Sequence, residues 1–179
     1  TSAVQRWSPP DGRVPHPFAV IGSSSVAANA AADHLASVGL TATIATTEMM
    51  GEARVEAVDL VARCAPGRAT IAAGETTVTV SGDGVGGRNQ EAALAAAIEI
   101  SGADVVFAAL GTDGIDGDTP AAGAIVDGTT ATEAHALGID LEAALANNDS
   151  HTALSGVGAT VVRGDTGTNV GDLWIVARI

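Results

Sequence analysis

From residue 17 onward the apolar positions fall into short continuous runs that alternate with helical stripes. "PFAVIG" (17–22) predicts a short buried strand. "SSSVAANAAADHLASVG" (23–39) predicts an Ala-rich helix capped by serine and ended by Gly39, and "TATIATT" (41–47) predicts a second strand, completing a βαβ unit. In "EARVEAVDLVARCA" (52–65), Val55, Val58, Val61 and Ala62 recur at helical spacing, so this segment reads as a second helix. "ATIAAGETTVTVSG" (69–82) supplies one or two strands, the second of them half exposed because Thr and Val alternate in it. A helix follows at "RNQEAALAAAIEI" (88–100). "ADVVFAALG" (103–111) then reads as a strand buried on both faces. The rest predicts a loop "TDGIDGDTP", an apolar segment "AAGAIVDG", short helices from Thr130 to about Ala146, a polar turn "NNDSH" and a closing strand "DLWIVARI". Strands alternating with helices predict an α/β fold: a layered domain with a mixed, mostly parallel sheet flanked by helices, over residues 17–179. Residues 1–16 lack periodicity, and four of the six prolines fall within the first seventeen positions, so this stretch reads as a linker or extended arm.

Composition narrows the function. With 179 residues, 46% hydrophobic, the chain can bury a full core. No apolar run approaches the ~20 residues that span a bilayer, and no basic-then-apolar leader opens it, which predicts a cytoplasmic protein. The formal net charge of -13 argues against nucleic acid, whose binding needs Lys and Arg to displace counterions. All eight basic residues are arginine. An acidic, lysine-free, Ala-rich chain fits either a salt-adapted cytosol or a GC-rich genome. The single Cys64 has no cysteine or histidine at metal-ligand spacing and reads as a small buried hydrophobe.

"SGDGVGGRNQE" (81–91) contains Gly82, Gly84 and Gly87 at G-x-G-x-x-G spacing. A dinucleotide site would need a solidly apolar strand before this turn and an acidic residue about 20 positions after it. The preceding "TTVTVSG" alternates instead, Asp104 precedes the next strand and Asp113 comes late, so a nicotinamide site is disfavoured. The loop remains an anion-binding candidate: Gly86 and Gly87 expose backbone N–H groups at a helix N-terminus, and Arg88 adds a planar charged fork. As a plain turn, the same loop would leave Arg88 to pair with a carboxylate such as Glu91. "LGTDGIDGD" sets Asp113, Asp116 and Asp118 on a loop after the most apolar strand, where crowded carboxylates suit Mg²⁺, although the spacing is not that of a calcium loop. With "NNDS" (147–150) and "DTGTNVGD" (165–172), four Gly/Asx/Thr-rich loops predict one small-anion and metal pocket.

"GETTVTVSGDGVGGRNQEAALA", "ALGTDGIDGDTPAAGAIVDG", "GIDLEAALANNDS" and "TGTNVGDLWIV" closely resemble the MOFRL domain, the carboxyl-terminal part of the glycerate 2-kinase family, once often labelled hydroxypyruvate reductases. The resemblance runs from about Gly74 to Val176. It implies ATP- and Mg²⁺-dependent phosphorylation of D-glycerate to 2-phosphoglycerate in a cleft between two domains. Carried over by position, it makes Arg88 the catalytic arginine. By the same resemblance Asn89, Asp113, Asp116, Asn148, Asp149, Thr168 and Asn169 line the cleft; the chemistry of the residues assigns Gly86, Gly87, Asn89, Asn148, Asp149, Thr168 and Asn169 to substrate or phosphate and Asp113 and Asp116 to the metal. This chain departs from the family in having Asp118, Thr119 and Pro120 where Pro-Thr-Asp is usual, and His151 where an aromatic is common. The family's large amino-terminal domain, which supplies an essential lysine, is the implied partner, and the chain reads as a fragment or separately encoded half. A homodimer is compatible with the sequence. A non-catalytic small-acid or nucleotide binding module, and an NADH-dependent reductase, are the alternatives.

Overall fold

The computed structural model describes Ala19–Ile179; the expected arm over residues 1–16 lies outside the described residues. The elements are α1 (Ser24–Ser37), β1 (Ala42–Met49), α2 (Ala53–Arg63), β2 (Arg68–Gly74), α3 (Arg88–Glu99), β3 (Val105–Gly111), β4 (Gly123–Asp127), α4 (Thr130–Ala136), α5 (Leu141–Ala146), α6 (Ser150–Gly156), β5 (Thr160–Val161) and β6 (Asp172–Arg178). They build one open mixed sheet in the order β1-β2-β6-β3-β4-β5, flanked by helices.

The parallel share is smaller than expected. Four strands, β1, β2, β3 and β5, point the same way, yet only β1 and β2 pair in parallel. The reason is β6, which returns from the chain end and inserts antiparallel between β2 and β3, pairing with both along its whole length. The predicted strand at 17–22 is also absent where it is described: Ala19–Gly22 is irregular and Ile21 is 95% exposed, since no strand among the described residues pairs with that run. "TTVTVSG" forms no strand either, only an isolated parallel bridge from Thr77 to Glu52, because its amides turn to the start of α2.

Helix α1, started by Ser23 Oγ accepting from Val26 N, covers one face of the sheet over Ile71 and Ala73. The larger core lies on the other face, where Trp174, Phe107 and Val176 of the sheet share one cluster with Leu94 of α3 and the buried residues of α2. Helix α3 is buried continuously from Asn89 to Ala97, and its alanines allow this close approach on all sides. Helix α2 meets this core through Ala53, Ala57, Leu60 and Val61, so that of the expected stripe Val55, Val58, Val61 and Ala62 only Val61 is fully buried. Val55, two residues or about 200° around the helix from Ala53, faces water. Cys64 is buried as expected.

Candidate functional site

Consecutive side chains in the first turn of α3, "RNQE", reach out to different loops. Arg88 donates to both carboxylate oxygens of Asp172, the first residue of β6, at 2.6 Å from Nε and 3.0 Å from Nη2. Asn89 donates through Nδ2 to Asp172 Oδ1 and Asp116 Oδ1 and accepts from Trp174 Nε1 at 2.7 Å. Gln90 donates to Asp116 Oδ2 and Thr119 Oγ1, and its Oε1 lies 2.7 Å from His151 Nδ1. Since that amide oxygen can only accept, Nδ1 of His151 carries the hydrogen. Glu91 pairs with Arg54 of α2 and accepts from Asn148 Nδ2 at 2.9 Å. Thus Arg88 pairs not with Glu91, as a plain turn would have had it, but with a buried carboxylate from the far end of the chain, and with the exposed Glu75.

Asp116 caps α3. Its Oδ1 accepts from Asn89 N and Nδ2, and its Oδ2 from Gln90 N and Nε2, at 2.8 to 3.1 Å. A carboxylate accepts at about four lone-pair sites, and protein donors fill all four here. Asp113 is turned elsewhere, accepting from Ile115 N and Asn169 Nδ2. Among the described residues no group of three or more His, Cys, Asp or Glu side chains converges as a metal site. The two carboxylates expected to take Mg²⁺ therefore do not fit that role: one is saturated by a helix N-terminus and the other faces a different loop.

The glycine loop lies on the "NNDS" turn. Ser81 N and Gly82 N donate to Asn148 Oδ1, Asp83 N to Asn147 Oδ1, Gly84 N to Asn147 O and Val85 N to Asp149 Oδ1. A Cβ at Gly82 or Gly84 would collide with Asn147 or Asp149, so close approach demands glycine there. Five successive amides are thus occupied by protein acceptors, which removes the donors a dinucleotide pyrophosphate would need from the G-x-G portion. Among the described residues, the amides of Gly86, Gly87 and Arg88 have no protein acceptor.

These amides open onto a groove of about 1110 Å³, lined by Gly86, Gly87, Arg88 and Asn148 among others. Arg88 lines it, and its Nη1 pairs with the exposed Glu75 at 3.3 Å. Hydrogen bonding to Asp172 holds the guanidinium above its ordinary pKa against the opposing effect of burial, so it stays charged throughout the accessible pH range. Asn89 is buried beneath the groove, while Asp149, Thr168 and Asn169 are not among its lining residues. The acidic residues outnumber the basic: Glu48, Glu75 and Glu91 line the groove with Arg88. Sequence reading missed Asp172, Arg54 and Gln90, and the one signal for Asp172 was a lone carboxylate heading an apolar strand.

The MOFRL family model matches residues 68–172, more than half of the chain. This protein belongs to the MOFRL family. It is 55% identical over 108 residues to D-glycerate 2-kinase of Thermotoga maritima, an overlap of 60% of this chain and 26% of that enzyme. It is 40% identical over 167 residues to glycerate 2-kinase of Pyrococcus horikoshii, covering 87% of this chain and 38% of that one. A crystal structure of glycerate kinase from Thermotoga maritima superposes with a TM-score of 0.86 at 41% identity, over 89% of this MOFRL chain and 41% of the kinase. The chain therefore spans well under half the length of these relatives. Among the described residues no helix is long and apolar enough to cross a membrane.

Proposed function

We propose that this chain forms one wall of an interdomain active site in an ATP-dependent glycerate 2-kinase, which converts D-glycerate and ATP to 2-phosphoglycerate and ADP. One observation carries the reading. Arg88, held by Asp172 at the start of α3, presents its outer nitrogen to the groove beside the open amides of Gly86 and Gly87, in a chain whose relatives are named glycerate kinases. Phosphoryl transfer depends on positioning and on stabilising charge at the equatorial oxygens of the transferring group. Arg88 supplies full charge, and the amides with the α3 dipole supply orientation. Asn89, Asn148 and Asp149 hold this geometry from below. Thr168 and Asn169, exposed on the loop before β6 and outside the groove lining, are assigned to contact with the opposite wall or with substrate that reaches beyond the groove. No step is assigned to a metal on Asp113 and Asp116.

The groove's surplus of carboxylates bears on the partner. A wall with three glutamates and one arginine repels a polyphosphate, so the balancing cations must come from the facing surface, which we assign to the amino-terminal half of the kinase. ADP release should be absent for the purified chain with D-glycerate and ATP, and should appear when an amino-terminal glycerate kinase half is added. Robust turnover by the chain alone would refute the half-site reading. Ligand binding without turnover by the mixture would favour a non-catalytic binding module.

A further inference from the structure

We infer that Glu91 is a positioning residue: it fixes the orientation of the Asn148 amide, and through that amide the conformation of the glycine loop at Ser81 and Gly82. Asn148 is the sole non-glycine residue with positive φ among the described residues, at 54°, a strained conformation that its surroundings must hold. Its Oδ1 accepts from Ser81 N at 2.8 Å and Gly82 N at 3.0 Å, and its Nδ2 donates to Glu91 Oε2 at 2.9 Å. The two ends of this amide differ only in being acceptor and donor. A flipped Asn148 would set NH₂ against two N–H groups, and on the other side would turn its oxygen against the Glu91 carboxylate, the nearer acceptor, and against Thr79 O, which accepts from Nδ2 at 3.4 Å.

Glu91 can serve because it is itself fixed. It is 2% exposed, and Oε1 accepts from Arg54 Nε at 2.9 Å and from Nη2, leaving Oε2 for Asn148. A buried carboxylate without such partners would be costly. The chain of contacts therefore runs from α2 through α3 to the turn at 148 and ends on the loop that leads to Gly86 and Arg88. The Glu91 carboxylate hydrogen-bonds neither Arg88 nor the open amides; its link to the loop at Ser81 and Gly82 runs through Asn148.

The donor and acceptor pattern specifies a test. In Glu91→Gln, the new amide must give its oxygen to Arg54, which turns its NH₂ toward Asn148 and drives the flip. In Asn148→Asp, two carboxylates meet at the same spot and one must take up a proton, so loop protection becomes pH-dependent. In Glu91→Gln with Asn148→Asp, the amide and the carboxylate have exchanged places. The amide now at position 91 accepts from Arg54 and donates to the carboxylate now at position 148, which accepts in turn from Ser81 N and Gly82 N. Backbone amide exchange at Ser81 and Gly82 in the full chain, read beside the β2 and β6 amides as a folding control, is expected to rise roughly tenfold in each single variant. It should return close to the parent value in the double variant. Unchanged exchange in Glu91→Gln, or a double variant no better than the singles, would overturn the inference. Its consequence for turnover rests on the kinase reading: in the reconstituted enzyme the singles should lower kcat more than they raise KM, and the double should recover. Because exchange is read without substrate, loss of the kinase reading leaves the clamp test standing.

Discussion

Arg88 and Asp172, 84 residues apart in sequence, meet in a two-point ion pair that joins the first residue of α3 to the first residue of β6. Asp172 is fully buried and Arg88 about one-third exposed, so the pair links a buried anion to a cation at the groove. Removing the arginine strips a buried carboxylate of its counter-charge, and it also strips the groove of the only cation among its described lining residues.

Arg88→Ala and Arg88→Lys should therefore separate the two effects. In the reconstituted enzyme both should lose roughly 10²- to 10³-fold in kcat, about 3 to 4 kcal/mol, since an ammonium lacks the two-pronged geometry. In stability they should diverge. The alanine variant should lose on the order of 2 kcal/mol, less than a wholly buried broken pair because the guanidinium is partly exposed, while lysine keeps a cation near Asp172 and loses less. Steady-state kinetics and thermal melts on both variants decide this, and full turnover in Arg88→Ala would reduce the loop to a turn.

What the sequence made legible was what lies close together along it. The apolar runs of β3 and β6 and the alanine-rich α3 emerged from periodicity, because each element's burial is written into its own residues. The four polar loops were visible as unusual, but their reason for converging was not. They meet on Arg88, Asn89, Gln90 and Glu91, through partners as distant as Asp116, Asn148 and Asp172, and hydrogen bonds across 26 to 84 residues leave no local pattern. That long-range pairing also explains why Asp116 read as a metal ligand: a carboxylate that caps a distant helix looks, in sequence, like any acidic loop residue. Helix α6 and the two-residue β5 were missed because "SHTALSG" opens on polar residues and two residues of strand show no period.

Salt should stabilise the fold. At a net charge of -13 without lysine, self-repulsion acts over a Debye length of ~30 Å in ~0.01 M salt and is largely screened at molar concentration. The melting temperature should rise strongly between dilute buffer and molar KCl. A flat response would attribute the acidic composition to genome bias rather than to a saline cytosol.

Asp127, at the end of β4, should make stability pH-dependent in the acid range. Its Oδ1 accepts from Thr129 Oγ1 at 2.7 Å and Thr129 N at 2.8 Å, and these bonds hold its pKa below the ordinary 3.8. A depressed folded pKa contributes stability that is fully present above the unfolded value and lost as pH falls through the folded one. Asp127→Ala should cost roughly 0.5 kcal/mol at neutral pH, the low end for an exposed hydrogen bond. The gap between variant and parent should start to narrow as pH falls past the ordinary 3.8 and close only below the depressed folded value, where the parent carboxylate is protonated as well. Denaturant melts at pH 7 and pH 3 measure this, and an equal gap at both values would remove the charge from the explanation.

Gly87→Ala should damage the α3 N-terminus through space rather than through backbone strain. Gly87 sits at φ −146°, an extended conformation open to any residue, so its need for glycine is not conformational. An added Cβ, however, would stand closest to Asp116 Cγ, 2.5 Å from that residue's backbone carbonyl carbon and 2.6 Å from Oδ1, against the residue whose carboxylate caps Asn89 and Gln90. The methyl group must push that carboxylate away, and the displaced Asp116 leaves two helix amides and the Gln90 side chain without their acceptor, at a cost of about 1 to 3 kcal/mol. Gly39→Ala is the matched control: φ there is 87° and an added Cβ meets nothing within 4 Å, so its cost is purely conformational, about 1 kcal/mol. Asp116→Asn separates the steric effect from the capping effect, because it keeps the shape but replaces one pair of acceptors by donors facing donors. If capping is what Gly87 protects, Gly87→Ala combined with Asp116→Asn should be little worse than Asp116→Asn alone in a denaturant melt. Additive losses would mean that the methyl group does its damage elsewhere.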